Sequence, residues 1–371
     1  MTEILLSELS NSDIEWLKNA GQIQQINADT ILIEQQSQVK LFYIVMEGIF
    51  IATLNRNQES SRLGSVFAAL EDEESLEQEI GQFSSGEILG EMTFINVSSA
   101  SNTIKALKDS VVLTIPCQYL QNKIEQDFSF ASRFYKAISL LLLERFQGLI
   151  KLYLKRKLGQ ITPLNDALLI FGELSDSDVD WLLQNGNVET LKEQTVLLKS
   201  GEQVENLYLV LEGVISVAVS EAKKNRFTNI FAELESEDKF SVPLEREISL
   251  AHKGEILGEI APFNSHRSYA TLKTIENSTI LTIPRQKLLL KLEQDLACAS
   301  RFYRVIAKLL SGRLQGLISR LGFGKNSYQA GQGLSQDLEY EDEIDLDDLD
   351  NLSLGGARFD WLLQRLSYFQ K

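Results

Sequence analysis

Two cysteines and two histidines in 371 residues set the first limits on this chain. Cys117 and Cys298 are too few for a disulfide scaffold or a cysteine-rich zinc site. His252 and His266 leave little room for histidine-based catalysis or metal binding. Basic charge is also short: 36 Lys and Arg stand against 52 Asp and Glu, a net charge of −16. A wide nucleic-acid footprint needs a basic face to neutralise phosphates, and an anionic membrane surface needs the same. The N-terminal MTEILLSELSNSDIEWLKNA has neither a basic n-region nor a long apolar h-region, so it does not read as a signal peptide. The apolar stretch Ile138–Leu143 is too short to span a bilayer. No P-loop, Gly-x-Ser-x-Gly elbow, His-Glu-x-x-His or kinase loop is present. The expectation is a soluble, cytoplasmic, non-catalytic protein with no nucleic-acid partner, no membrane insertion and no cofactor. Hydrophobic residues make up 44% of the chain, enough for packed cores.

The strongest positive signal is an internal repeat. Glu8-Leu-Ser-Asn-Ser-Asp-Ile-Glu-Trp16-Leu17 returns as Glu173-Leu-Ser-Asp-Ser-Asp-Val-Asp-Trp181-Leu182, 165 positions on. Phe42-Tyr-Ile-Val-Met-Glu-Gly48 returns at the same offset as Leu207-Tyr-Leu-Val-Leu-Glu-Gly213. Gly86-Glu-Ile-Leu-Gly-Glu91 returns as Gly254-Glu-Ile-Leu-Gly-Glu259, now 168 positions on, so a surface loop of different length lies between. Leu113-Thr-Ile-Pro116, Arg133-Phe-Tyr135 and Gln147-Gly-Leu-Ile150 all have partners at that second offset.

The order within each repeat predicts a fold. A short helix comes first, capped by Ser10 or Ser175 and carrying Trp16 or Trp181 as core or interdomain anchors. Short strands follow at 30–33, 41–45 and 49–53, and at 195–198, 207–211 and 214–219. Gly48 and Gly213 sit between two of them, where a turn favours positive φ. Strands resume at 103–106 and 110–115, and at 270–273 and 278–283, ending at Pro116 and Pro284. A long helix then carries the stripe Phe134, Ile138, Leu141, Leu142, Phe146, Leu149 and Ile150. This stripe packs within the chain or forms a homo-oligomer. The expected class is mainly β with α (α+β): two tandem jelly-roll-like β-rolls, each flanked by helices. Domain 1 spans 1–158, domain 2 spans 159–325, and 326–371 is an acidic linker with an amphipathic tail helix. Residues 55–85 and 221–253 read as long charged insertions. The linker's nine acids, from Asp337 to Asp350, predict an extended segment.

Chemistry is expected at Gly-Glu-Ile-Leu-Gly-Glu, because glycines before a helical turn let a ligand approach the backbone and a carboxylate accepts from ribose hydroxyls. Gly90-Glu91-Met-Thr-Phe-Ile and Gly258-Glu259-Ile-Ala-Pro-Phe, followed by Thr103 and Ala270-Thr271, resemble the phosphate-binding cassette of the cyclic-nucleotide-binding domain family. That family includes the catabolite activator protein and protein kinase A regulatory subunits. The resemblance implies that Glu91 and Glu259 hold ribose and that an arginine about ten residues on pairs with the cyclic phosphate. In repeat 1 that slot falls near Ala100 and holds no arginine. In repeat 2 it falls on Ser268, one residue after Arg267. The candidate ligand-binding residues are Gly258, Glu259, Arg267, Ser268 and Thr271 in repeat 2, and Gly90, Glu91, Ser99, Ser101 and Thr103 in repeat 1. A cyclic nucleotide is the expected ligand, with domain 2 the better site. Ser98, Ser99 and Ser101 suit either a neutral ligand or a plain turn.

Ala131-Ser-Arg-Phe-Tyr-Lys-Ala-Ile138, Ala299-Ser-Arg-Phe-Tyr-Arg-Val-Ile306, Ser319-Arg-Leu-Gly-Phe-Gly324 and the acidic tail also resemble a cyanobacterial tandem family associated with bacteriocin-type transport. That implies peptide-export machinery as a protein partner. Arg133 and Arg301 read as salt-bridge or solvated residues rather than phosphate readers. Asp360-Trp-Leu-Leu-Gln364 repeats Asp180-Trp-Leu-Leu-Gln184 letter for letter, which predicts that the tail helix docks on a repeat, in this chain or a partner. Three classes follow: a regulatory sensor, a ligand-free adaptor, and a transcription regulator. The third lacks a basic helix-turn-helix after Leu321.

Overall fold

The computed structural model describes residues 3–55, 77–96, 100–156, 166–220, 245–263, 267–318 and 346–369. Repeat 1 opens with α1 (Glu3–Glu8) and α2 (Asn11–Ala20). Its strands are β1 (Gln22–Ile26), β2 (Ile31–Ile33), β3 (Leu41–Glu47), β4 (Ile49–Asn55), β5 (Glu77–Ser84) and β6 (Ile88–Leu89). The cassette helix α3 (Glu91–Asn96) precedes β7 (Thr103–Ala106) and β8 (Ser110–Pro116), and α4 (Cys117–Gln126) and α5 (Phe128–Arg156) complete the repeat. Repeat 2 follows the same plan with α6 (Asp166–Glu173), α7 (Asp176–Asn185), β9 (Asn187–Leu191), β10 (Val196–Leu198), β11 (Asn206–Glu212), β12 (Ile215–Ser220), β13 (Glu245–Ala251), β14 (Ile256–Leu257), β15 (Thr271–Thr274), β16 (Ser278–Pro284), α8 (Arg285–Gln294) and α9 (Leu296–Ile318). The tail forms α10 (Leu346–Phe369).

Each repeat builds two four-stranded antiparallel sheets, ordered β1-β8-β3-β6 and β2-β7-β4-β5, then β9-β16-β11-β14 and β10-β15-β12-β13. This is the expected mixed α+β architecture of two β-rolls with flanking helices. The registers correspond: Phe42 faces Ile115 as Leu207 faces Ile283, and Tyr43 faces Leu89 as Tyr208 faces Leu257. In the first roll Ile33, Tyr43, Val45, Phe50, Leu89 and Ile104 close the space between the sheets. A Cβ at Gly48 would fall 2.0 Å from Ser110 Oγ, and one at Gly213 2.3 Å from Ser278 Oγ, so each hairpin turn needs glycine on steric grounds as well as for its positive φ.

The leading helices α2 and α7 start at capping boxes. Ser10 Oγ accepts from the Asp13 N–H while Asp13 accepts from the Ser10 N–H, and Ser175 and Asp178 repeat the arrangement. The single expected leading helix is a pair in each repeat. The expected long helix after the proline is also two helices. Asp127 breaks it, with φ −136° and an Oδ1 that accepts from the Phe130 N–H, which starts α5 afresh. The charged insertions end differently from expectation: their last residues are β5 and β13, paired to β4 and β12. Both are edge strands, so one side tolerates charge, and among the described side chains Phe83 in β5 and Ile248 and Ala251 in β13 are the buried ones. Asp347, Asp348 and Asp350 lie in α10 rather than in an extended linker. Carboxylates in a helix's first turns are favoured by its dipole.

Two compact units result: Met1–Tyr153 with Lys291–Leu352, and Leu154–Leu290 with Ser353–Lys371. In the first, α9 packs on the cassette helix α3, and Ser139 of α5 donates to the Tyr303 carbonyl at 3.0 Å. In the second, α10 docks on α6 and α7. Phe359 and Leu362 are buried, Phe359 lies 5.4 Å from the Phe171 ring, and Arg358 Nη1 donates to the Phe171 and Leu174 carbonyls while its Nε meets Asp176 at 2.7 Å. Among the described residues no helix is long and apolar enough to cross a membrane.

Candidate functional site

The cassette of repeat 1 is set by one glycine. Gly90 has φ +86°, and a Cβ there would come 3.0 Å from the Leu41 carbonyl oxygen. The backbone therefore turns tightly against β3 and starts α3 with Glu91. Gly258 does the same in repeat 2, with φ +71° and a Cβ position 2.6 Å from the Asn206 carbonyl oxygen. Glycine here serves the fold before it serves any ligand.

Glu91 is buried, its side chain 4% exposed, and it forms an ion pair with Arg145, 13% exposed, from the middle of α5. Arg145 also donates to the Ile88 carbonyl at 2.6 Å, and its guanidinium carbon lies 4.7 Å from the Phe83 ring centroid. Its Nε is buried without an acceptor. The pair stands at a partly open cavity of about 180 Å³, lined on one side by Ile33, Val39 and Ile104 of the roll, on another by Met92, Ala100, Ser101 and Asn102 of the cassette, and bordered by Gly148 and Leu149 of α5 with Leu314 and Ile318 of α9. Apolar groups dominate, so the Glu91–Arg145 attraction operates in a low-dielectric setting. The structure thus brings Gly90, Glu91 and Ser101 to one cavity. Ser101 Oγ donates toward Met92 Sδ at 3.7 Å and Asn102 Oδ1 at 3.3 Å. Thr103 is buried and accepts from the Gln35 N–H at 3.1 Å, holding the loop rather than lining the cavity. Ser98 and Ser99 lie outside the described residues. Glu87 stays with its own turn, accepting from the Ser84 N–H at 2.5 Å.

Repeat 2 arranges the same parts differently. Glu259 is buried and accepts from the Tyr269 hydroxyl at 2.9 Å. Tyr269 stands where repeat 1 has Ser101, so an aromatic side chain reaches the carboxylate that would take a ribose hydroxyl. Arg267 is exposed, pairs with Gln203 in an isolated bridge, and donates from Nη1 to the Gly201 carbonyl at 2.9 Å. Ser268 is buried and donates to the Ala270 carbonyl at 2.6 Å. Thr271 accepts from the Ser200 N–H at 3.1 Å and donates to Glu245 at 2.5 Å. Glu259, Ser268 and Thr271 are therefore inward, and Arg267 is turned to the loop carbonyl.

Arg145 and Tyr269 were not among the residues the sequence singled out. Arg145 had a signal: it is a cation on an apolar stripe, two positions before the repeated Gln147-Gly148, and Arg313 matches it. Tyr269 had none, because the cassette pattern does not say which loop side chain turns inward.

The remaining polar and aromatic groups tie the first unit together. Arg133 binds both carboxylate oxygens of Asp13, at 2.6 and 3.0 Å, in agreement with the salt-bridge expectation. Burial alone would raise the Asp13 carboxyl, but hydrogen bonds from Arg133 and Ser10 overcome it and hold it below the usual range. Trp16 meets Phe130 edge-on at 5.3 Å, Phe130 stacks on Phe134 at 5.6 Å, and Phe134 touches Phe94 of α3 and Phe42 of β3. An aromatic chain thus joins the leading helix, the long helix and the cassette. Neither Cys117 nor Cys298 is in a disulfide, and burial raises the Cys117 pKa.

The profile of the cyclic nucleotide-binding domain matches residues 23–127 and again 188–295. A search of curated proteins finds no match. Among solved structures, the chain is similar to the regulatory domain of Toxoplasma gondii PKA with cAMP, at 14% identity, covering 80% of this chain and 89% of that one, with a TM-score of 0.28. It is also similar to the N-terminal domain of a transcriptional regulator from Streptomyces coelicolor A3(2), at 19% identity, 38% and 88% coverage and a TM-score of 0.30. A putative cyclic nucleotide-binding protein from Geobacter metallireducens is similar at 15% identity, 39% and 91% coverage and a TM-score of 0.31.

Proposed function

This chain belongs to the cyclic nucleotide-binding domain family, in two copies, and on that premise we propose that it is a non-catalytic regulatory protein that senses a small ligand. The observation that carries the reading is the grip of Arg145 on Glu91. The cassette carboxylate is held by the long helix itself, so a ligand that engages Glu91 changes the energy of α5's position. The aromatic chain through Phe94 and Phe134 gives that change a second route to the helices. Ligand binding then acts as a population shift between helix positions.

In repeat 2 a cyclic nucleotide would take Glu259 from Tyr269 through its ribose and draw Arg267 off the Gly201 carbonyl to its phosphate. Arginine suits that task because its planar fork pairs bidentately with phosphate. The test is a thermal shift of the whole chain with cyclic AMP, cyclic GMP and cyclic dinucleotides. A ligand at ~100 times its Kd stabilises by about 2.7 kcal/mol. A shift lost in both Glu259→Ala and Arg267→Ala supports the reading.

One observation favours a second reading, a ligand-free adaptor: Tyr269 already satisfies Glu259. No shift with any nucleotide, together with capture of a protein partner through α10, would select it. A place beside peptide-export machinery in a cyanobacterial cytoplasm is part of our proposal and rests on the resemblance of the Arg-Phe-Tyr segments and the tail.

A further inference from the structure

We infer that the cavity of the first unit takes an uncharged, nucleoside-like ligand, a ring bearing hydroxyl groups, and not a cyclic phosphate. The inference rests on reading the cassette as a ligand-binding element. Three observations carry it.

The first is charge. Among the described residues that line the cavity, Arg145 is the one cation and Glu91 the one anion, and they neutralise each other. The phosphate slot at Ala100, with Ser101 and Asn102 beside it, offers no cation. A phosphate entering here would be a desolvated charge beside a cation already neutralised by Glu91, which is the costly case.

The second is unfilled hydrogen-bonding capacity in that pair. Arg145 Nε is buried and donates to nothing. Arg145 engages Glu91 through Oε1, and among the described residues no other side chain is seen to bond that carboxylate. An ionised carboxylate accepts through both oxygens. A hydroxyl both donates and accepts, so it complements a spare carboxylate oxygen and a spare guanidinium N–H, whereas a phosphate oxygen serves only the second.

The third is space kept open by glycine. Gly148 sits inside the 29-residue α5, exposed, and Gly81 inside β5, half-buried; both line the cavity at its mouth. A Cβ added at either position would meet nothing within 4 Å. Glycine is a poor helix former and weakens strands, so packing gives no reason for its use at these two positions. Open room for a ligand does. A dry cavity of ~150 Å³ binds benzene, so about 180 Å³ admits a somewhat larger ring system.

The experiment is isothermal titration of the full chain with adenosine and guanosine beside cyclic AMP and cyclic GMP, in wild type, Glu259→Ala, Gly148→Leu and Gly148→Ala. A nucleoside is expected to bind saturably in wild type and in Glu259→Ala, at least tenfold more tightly than its cyclic phosphate does in Glu259→Ala. Gly148→Leu crowds the mouth of the cavity and is expected to abolish this binding. Gly148→Ala adds one methyl to open space, keeps the fold, and is expected to weaken binding several-fold. Nucleoside binding unchanged in both Gly148 variants would overturn the inference. So would no nucleoside binding at all, or tighter binding of the cyclic phosphate in Glu259→Ala. Heats with cyclic nucleotide that depend on Glu259 report on repeat 2 separately, so the regulatory reading and this inference can fail independently.

Discussion

Replacing Arg145 with methionine tests whether the Glu91–Arg145 pair is a buried unit or a surface decoration. Methionine keeps most of the arginine stem, so contacts of the stem along the cavity are largely retained. What is lost is the guanidinium, and Glu91, with a side chain 4% exposed, is left as a buried carboxylate without a counter-ion. Breaking a buried pair from one side costs about 3–5 kcal/mol, against 0–1 kcal/mol for an exposed pair. At roughly 2–4 °C per kcal/mol for a unit of this size, the melting temperature of the first unit should fall by about 6–20 °C. The double variant Arg145→Met with Glu91→Gln removes the stranded charge and should recover about half of that loss, a non-additivity that a double-mutant cycle reads directly. The assay is thermal and urea unfolding of the four proteins at pH 7. A fall under about 2 °C for Arg145→Met, or a double variant no better than the single, would refute the idea that this pair is desolvated and mutually dependent.

Asp13, held below its ordinary pKa by Arg133 and Ser10, contributes stability that is present above pH 3.8 and lost as pH falls through its folded value below that. Asp13→Asn should therefore cost about 1–2 kcal/mol at pH 7 and almost nothing in strong acid; an equal cost in both, by urea unfolding, would contradict the assignment. In repeat 2, Tyr269→Phe frees Glu259 of a hydrogen bond to a charged acceptor, worth about 1.5 kcal/mol, so cyclic nucleotide affinity should rise by up to about tenfold by calorimetry; a fall would show that Tyr269 assists the ligand. Leu362 is fully buried in the docked tail, and Leu362→Ala should loosen α10 by about 2–4 kcal/mol, seen as lost amide protection over 353–366. Unchanged protection, or an unchanged melting temperature on deleting 355–371, would mean that the tail does not dock as described.

Much of the fold was legible because each repeat carries its own punctuation. Ser10 and Ser175 announce capped helices, Gly48 and Gly213 announce turns, and alternation in 215–220 announces a strand with one buried face. Duplication doubled every one of these signals. The edge strands β5 and β13 escaped because an edge tolerates charge, so Glu77–Ser84 reads in sequence like the charged stretch that precedes it. The break between α4 and α5 escaped because the apolar stripe runs on beyond Asp127, while that one residue takes extended backbone angles and caps α5 with its carboxylate.

The cassette glycines and carboxylates were likewise readable from spacing, since their local geometry is imposed within six residues. What spacing does not contain is what those carboxylates meet. Arg145 lies 54 positions from Glu91 and reaches it only because the β-roll and α5 fold together. Tyr269 and Ser101 occupy matching positions, yet only the tyrosine is long enough to reach its carboxylate. Arg267 is visible beside the cassette in the sequence, but its direction is set by the Gly201 carbonyl, a partner 66 positions away. The amino-acid sequence by itself determined the duplication, the element types and the carboxylate positions, because these follow from local backbone preference and hydrophobic period. The tertiary structure alone decided which groups pair at the cavity, the role of Arg145 and the docking of the tail, because those depend on which distant side chains share a desolvated space.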